Sequence, residues 1–265
     1  MTGLFPTLHV VGLGWAVLAA FMAALWIVHL RLKNAAIVDV GWAAGLPILA
    51  IWYAWSFDAG IRGWMLAAMV ALWGGRLATH LLVDRVIGQP EEGRYRELRA
   101  RWKTGLGLKF FVFFQAQALL DVLLSLPFLL VARNGGAPGL VGWFAVGVWV
   151  IAMSSEALAD AQLARFKRDP ANRGRVCEVG LWRYSRHPNY FFEWLVWVAY
   201  ALYATTASYG WAGWMSPALM LFFLFRVTGI PETEAQAVRS RGDAYRRYQR
   251  TTSSFVPWFR REESS

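Results

Sequence analysis

Apolar positions in this chain come in unbroken runs, not in the alternation of a strand or the one-sided stripe of a surface helix. Runs of about 18 residues or more have the length of a helix that crosses a membrane. Seven can be marked off: Leu8–Leu30, Ile37–Trp55, Trp64–Val86, Leu108–Val131, Leu140–Leu158, Tyr190–Thr205 and Met215–Val227. The fifth continues as a helix past its apolar part, through Asp160, Gln162 and Phe166. The last two are short, which leaves a tilted or re-entrant segment open. Between the runs lie turn signals and charge: Arg31 with Lys33; Asp58, Gly60 and Gly63; a polar stretch Gly88–Gly107; Asn134-Gly135-Gly136 with Pro138; a basic loop Arg165–Arg186; and Gly210 with Gly213. A charged helix over Glu232–Arg250 and a tail containing Pro257-Trp258-Phe259 close the chain. The pattern predicts an all-α, polytopic integral membrane protein. It has seven transmembrane helices, a cytoplasmic loop and a C-terminal cap, and residues 1–265 form a single domain.

Composition agrees with this reading. Hydrophobic residues make up 57% of the 265 and charged residues 17%, below the usual quarter of a soluble domain. The formal net charge of +10 could suit a nucleic-acid binder, but the arginines sit in short loops between apolar runs, so topology accounts for them. Of 27 basic residues, 24 fall on one side of a seven-span arrangement or at its helix ends. That bias predicts the N-terminus outside and the C-terminus in the cytoplasm. The lone cysteine, Cys177, excludes an intrachain disulfide, and His9, His29, His80 and His187 lack paired-ligand spacing, so no metal site is expected. No glycine-rich GxGxxG turn follows a strand, so a nucleotide would not be held by a Rossmann unit.

Ionisable groups inside apolar runs face the bundle interior, a cavity or a partner. Asp39 and Arg76 either pair with each other across the second and third runs or line a polar pocket. Glu156 and Asp160, four apart, share one face of a helix, with Lys167 and Arg168 two turns further on. The densest polar cluster is Leu181-Trp182-Arg183-Tyr184-Ser185-Arg186-His187-Pro188-Asn189-Tyr190, followed by Glu193. Pro188 suits the start of a helix, which puts Asn189, Tyr190 and Glu193 on its first turn or so. Burying that cluster without partners would cost several kcal/mol, so it needs water or a polar, charged ligand. Pro231 likewise opens a helix with Glu232 and Glu234 at its positive end. The strip Tyr245-Arg246-Arg247-Tyr248-Gln249-Arg250 either lies on anionic lipid or folds over the mouth of a site and grips phosphates.

These runs resemble those of the bacterial steroid 5-alpha-reductase-like membrane proteins that carry the domain of unknown function 1295. That group is related to eukaryotic steroid and sterol reductases and, more remotely, to isoprenylcysteine carboxyl methyltransferases. The resemblance rests on Glu156-Ala-Leu-Ala-Asp160-Ala-Gln162 with Phe166-Lys167, and on Gly180 to Tyr190 with Glu193. It extends to Gly229-Ile-Pro-Glu232, Tyr245-Arg-Arg-Tyr248-Gln249 and Phe255-Val-Pro257, with Asp39-Val-Gly-Trp42 and Gly93-Arg-Tyr95 upstream. The most specific motifs fall within residues 156–259.

The resemblance implies a seven-helix reductase of a bacterial inner membrane that holds NADPH. Its cofactor-binding positions map to Asp160, Lys167, Arg186, Asn189, Glu193 and Tyr248, with Arg76 and Arg94. Its catalytic positions, which hold a substrate carbonyl oxygen, map to Asp39 and Trp73. Trp73 stands where those reductases carry a tyrosine; an indole N–H donates a hydrogen bond but has no phenolic proton. The implied reaction is reduction of the activated C=C bond of a lipophilic enone, such as a 3-oxo-4-ene steroid, that enters from the bilayer. A protonated Asp39, with Trp73 or a nearby tyrosine, would donate to the oxygen. No nucleic acid and no obligate protein partner are implied; the other partners are membrane lipids. Two other classes stay open: an S-adenosylmethionine-dependent methyltransferase of a lipid-borne group, and a membrane scaffold or lipid-binding protein without chemistry.

Overall fold

The computed structural model describes residues 3–91, 93–227 and 229–262. Among them all regular structure is helical, and the one strand-like contact is an isolated bridge between Ser185 and Ser253. Among the described residues six helical stretches are long and apolar enough to cross a membrane, which makes this a multi-pass membrane protein. The chain divides into two compact units, Met1–Leu140 with Tyr203–Gly213, and Val141–Leu202 with Trp214–Ser265.

The first unit contains α1 (Leu4–Leu32), α2 (Ile37–Ser56), α3 (Gly60–Arg85), α4 (Gly93–Trp102), α5 (Leu106–Leu124) and α6 (Leu126–Asn134). Helix α2 is its centre and packs against α1, α3, α5 and α6. Small residues set those approaches. A Cβ on Gly74 of α3 would strike the Ala43 carbonyl oxygen and the Pro47 ring of α2, so only glycine lets the two helices come this close. The apolar run expected over Leu108–Val131 is not one helix. It breaks at Ser125, whose N–H still bonds the Asp121 carbonyl at 2.8 Å while its hydroxyl turns back to the Val122 carbonyl at 2.8 Å. Pro127 then sits in the first turn of α6, where its missing N–H costs nothing. Helix α4 folds out of the stretch read as polar. Arg99 grips Glu91 with two bonds of 2.7 and 3.0 Å, and Glu91 also takes the Ala35 N–H at 2.8 Å, which ties α4 to the turn between α1 and α2.

The second unit contains α7 (Leu140–Arg168) from Val141 on, α8 (Pro188–Ala204) as far as Leu202, α9 (Met215–Arg226), α10 (Ile230–Arg241) and α11 (Asp243–Thr251). Helix α7 runs past its apolar part as expected. Helix α8 starts at Pro188, and its 17 residues span about 25 Å at 1.5 Å each, short of the roughly 30 Å hydrocarbon core. The sixth of the long apolar runs covers Gly210–Arg241. Its apolar part ends with α9; α10 follows outside it, carrying Glu232, Glu234, Arg239 and Arg241. The charged helix expected over Glu232–Arg250 is two helices. Gly242, at φ +55°, takes a left-handed turn that a side chain would strain, and the chain starts again as α11.

Candidate functional site

The predicted site residues fall into two groups, one in each unit. In the first unit Asp39 lies in the first turn of α2, where the helix dipole favours a carboxylate. The Tyr95 hydroxyl donates to its Oδ1 at 2.7 Å, and Arg85 approaches its Oδ2 at 3.3 Å. Arg94 pairs with the same Oδ2, and its guanidinium lies 4.6 Å from the Tyr95 ring centroid. Arg94 and Arg85 are cations on Asp39 that the sequence did not offer as its partners. Position along the chain could not show this, because α4 reaches Asp39 through its tie to Glu91. In this arrangement Asp39 accepts from three groups. Trp73 is fully buried on α3, edge-on to Trp42 with ring centroids 5.9 Å apart. Arg76 follows it by three residues, half-buried on the same helix.

In the second unit Pro188 begins α8 and places Asn189 opposite α7. Asn189 Nδ2 donates to Asp160 Oδ1 at 3.2 Å, while its own Oδ1 takes the Tyr190 N–H at 3.0 Å. This joins the two most specific motifs, which lie 29 residues apart in the chain. Glu193, one turn on, accepts from Trp197 Nε1 at 3.0 Å. Lys167 is exposed at the end of α7, and Glu156 is buried one turn before Asp160.

Arg186 and Tyr248 bond to the C-terminal segment and to the segment before α8. Arg186 Nε donates to Glu234 at 2.6 Å, and its Nη1 donates to the carbonyls of Gln249 and Thr252 at 2.8 and 2.6 Å. Tyr248, 2% exposed, points its hydroxyl at the carbonyls of Trp182 and Ser185. Burial pushes that phenol well up, so it stays a donor. Both residues fasten the C-terminal strap to the segment before α8. Glu234 is the hub that the sequence did not single out, although it sits beside the matching Gly229–Glu232 run. It takes Arg186, Gln249 Nε2 at 2.8 Å and His187 Nε2 at 3.2 Å. Burial alone would raise its carboxyl. Hydrogen bonds from His187, Arg186 and Gln249, with the Arg186 charge, outweigh burial and hold it at about 2, below the ordinary 4.5. His187 also stacks on Tyr190, ring centroids 5.3 Å apart.

Among the described residues no three His, Cys, Asp or Glu side chains gather as a metal site would. Asp160 and Asn189 put a carboxylate and an amide side by side, and Lys167 is an exposed cation further along α7.

A family model described as "Protein of unknown function (DUF1295)" matches residues 25–252. No curated protein and no solved structure matches the chain.

Proposed function

The chain belongs to the DUF1295 family, and from that premise we propose that it is an NADPH-dependent reductase of the activated C=C bond of a lipophilic enone, of which a 3-oxo-4-ene steroid is the reference case. The observation that carries the reading is the Asn189–Asp160 hydrogen bond of 3.2 Å. It draws the start of α8 and the part of α7 beyond its apolar run into one polar cluster.

Bound NADPH would supply the hydride for the carbon beta to the carbonyl, and a proton from water would complete the saturated product at the alpha carbon. Asp160 and Asn189 bind hydroxyl and amide groups of the cofactor, Lys167 answers its phosphates, and Glu193 orients Trp197 beside them. Negative charge grows on the carbonyl oxygen during reduction, and fixed donors aimed at such an oxygen lower the barrier most. The donor in the first unit is Arg94, held in place by Asp39, whose role is orientation; the single Tyr95 proton goes to Asp39. Trp73 and Trp42 pack as an apolar wall. Helix α8 is read as a seventh crossing that locally thins the bilayer. Positive charge on one side sets the N-terminus outside a bacterial cell membrane and the C-terminus in the cytoplasm.

One observation favours a second reading, an S-adenosylmethionine-dependent methyltransferase. Arg186 and Tyr248 are engaged within the strap, which leaves fewer groups for the phosphates of NADPH. Titrating detergent-purified protein with NADPH and with S-adenosylmethionine separates the two. Saturable NADPH binding weakened by Asp160→Ala and Asn189→Ala supports the reductase. Selective S-adenosylmethionine binding replaces it with the methyltransferase, and binding of neither leaves a non-catalytic lipid-binding protein.

A further inference from the structure

The tail after α11 leaves an aromatic strip uncovered at the ends of two apolar helices. Phe255 is buried against Phe191 and Trp194 of α8 and Phe225 of α9, with ring centroids 5.5, 5.8 and 5.1 Å away. Phe191 lies in the first turn of α8 and Phe225 in the last turn of α9, so the tail crosses where both helices end. Its backbone is fixed there. The Ser185 hydroxyl donates to the Phe255 carbonyl at 2.7 Å, the Arg186 N–H to Ser253 at 2.8 Å, and the Trp258 N–H to Tyr184 at 2.9 Å.

The side chains beyond Phe255 are not covered. Val256, Trp258 and Phe259 are 51, 67 and 77% exposed, and Tyr184 beside them is 40% exposed. Phe259 meets the Tyr184 and Trp258 rings edge-on, at 6.4 and 6.2 Å. Two exposed arginines flank the strip, Arg183 and Arg261, whereas Arg260 is held by Glu178 and Thr251. A rigid backbone that presents large aromatic rings to water is costly unless something covers them. At the end of membrane helices the available cover is the bilayer boundary, where aromatic rings and arginines both reside.

We infer that Val256, Trp258 and Phe259, with Tyr184, form an interfacial anchor seated in an anionic bilayer, and that Arg183 and Arg261 bind lipid phosphates on either side of it. The rings enter the boundary between headgroups and acyl chains, and the guanidinium groups stay at phosphate level and favour anionic headgroups. Because Glu234, Gln249 and Thr252 join the same strap to Arg186, seating the tail on lipid also steadies the segment before α8.

The test is a nitroxide on Val256→Cys in full-length protein, with Cys177, 7% exposed, left in place and the unsubstituted chain labelled as the blank. The protein is placed in nanodiscs of phosphatidylcholine, with or without phosphatidylglycerol. Collision of the label with oxygen, which dissolves in lipid, is compared with collision with a water-soluble nickel chelate. Oxygen-favoured collision is expected, more so with phosphatidylglycerol. The joint Trp258→Ser and Phe259→Ser change should shift it to nickel-favoured. Joint Arg183→Gln and Arg261→Gln should abolish only the effect of phosphatidylglycerol. Nickel-favoured collision in both lipids overturns the anchor. Equal depth in both lipids, unaffected by the arginine changes, overturns the anionic headgroup site.

Discussion

The Tyr95 hydroxyl donates to Asp39 Oδ1 at 2.7 Å, while the other oxygen of the same carboxylate takes Arg94 and Arg85. One side chain at the start of α2 thus fixes three donors from the end of α3 and from α4. Tyr95 is 1% exposed, so its bond is shielded from water. Tyr95→Phe should lower stability by about 1.5–3 kcal/mol, the range for a hydrogen bond to a charged group. Asp39→Ala should cost more than Tyr95→Phe, because it takes the acceptor from two partly exposed cations and a buried phenol together. Thermal unfolding in detergent checks both. Asp39→Asn keeps an accepting oxygen and should slow turnover more than it weakens NADPH binding; equal turnover in the two proteins would remove Asp39 from the chemistry.

The Tyr248 hydroxyl is engaged by the Trp182 and Ser185 carbonyls, so Tyr248→Phe should leave the NADPH dissociation constant unchanged within two- to three-fold, about 0.5 kcal/mol. It should still cost about 1–2 kcal/mol of stability, since two carbonyls lose a buried donor. Cofactor titration and thermal unfolding of the same preparation separate these effects. A dissociation constant raised tenfold with stability intact would return Tyr248 to the cofactor site.

Glu234 predicts an acid dependence with a definite sign. Its folded value of about 2 lies below its ordinary 4.5, so its contribution is complete above about 4.5 and fades as pH falls through about 2. The difference in thermal midpoint between the wild type and Glu234→Gln should be constant above pH 4.5 and shrink below it. A difference that grows on acidification would contradict the Arg186–Glu234 clamp.

Gly45 of α2 packs directly under the Asp121 carboxyl group of α5, so a Cβ there would collide with Oδ2 and crowd Leu18 of α1. Asp121 is fully buried and has little room to move. Gly45→Ala should cost about 1–3 kcal/mol by overpacking. Adding Asp121→Ala should recover part of that loss, which a double-mutant cycle on thermal stability reads as a favourable coupling.

Much of the fold was legible because long apolar runs and their punctuation are local signals. The starts of α8 at Pro188 and α10 near Pro231 follow from proline chemistry, and α7 runs on past its apolar part as its sequence indicated. The split at Ser125 was less legible because Leu126 and Phe128 keep the run apolar on both sides of it; Pro127 was the available sign. Gly242 was the corresponding sign within the charged helix. The site was legible as residue types more than as contacts. Asp160 and Asn189 come together as the motifs implied. The partners of Asp39 were hidden because α4 is placed by the Glu91–Arg99 pair, a tertiary contact with no periodic trace. Arg186 and Tyr248 look like phosphate ligands by type, and only the docked strap shows them bound to carbonyls and to Glu234.

The central claim, hydride transfer to a lipophilic enone, is tested most directly with NADPH deuterated at the transferable position. Protein in nanodiscs would be incubated with a panel of such enones, and the products examined by mass spectrometry. The account predicts a saturated product carrying one deuterium at the carbon beta to the carbonyl, with yield lost in Asp160→Ala. Absence of deuterium from every product, under conditions where S-adenosylmethionine labelled at its methyl group does transfer label to a lipid, would contradict it.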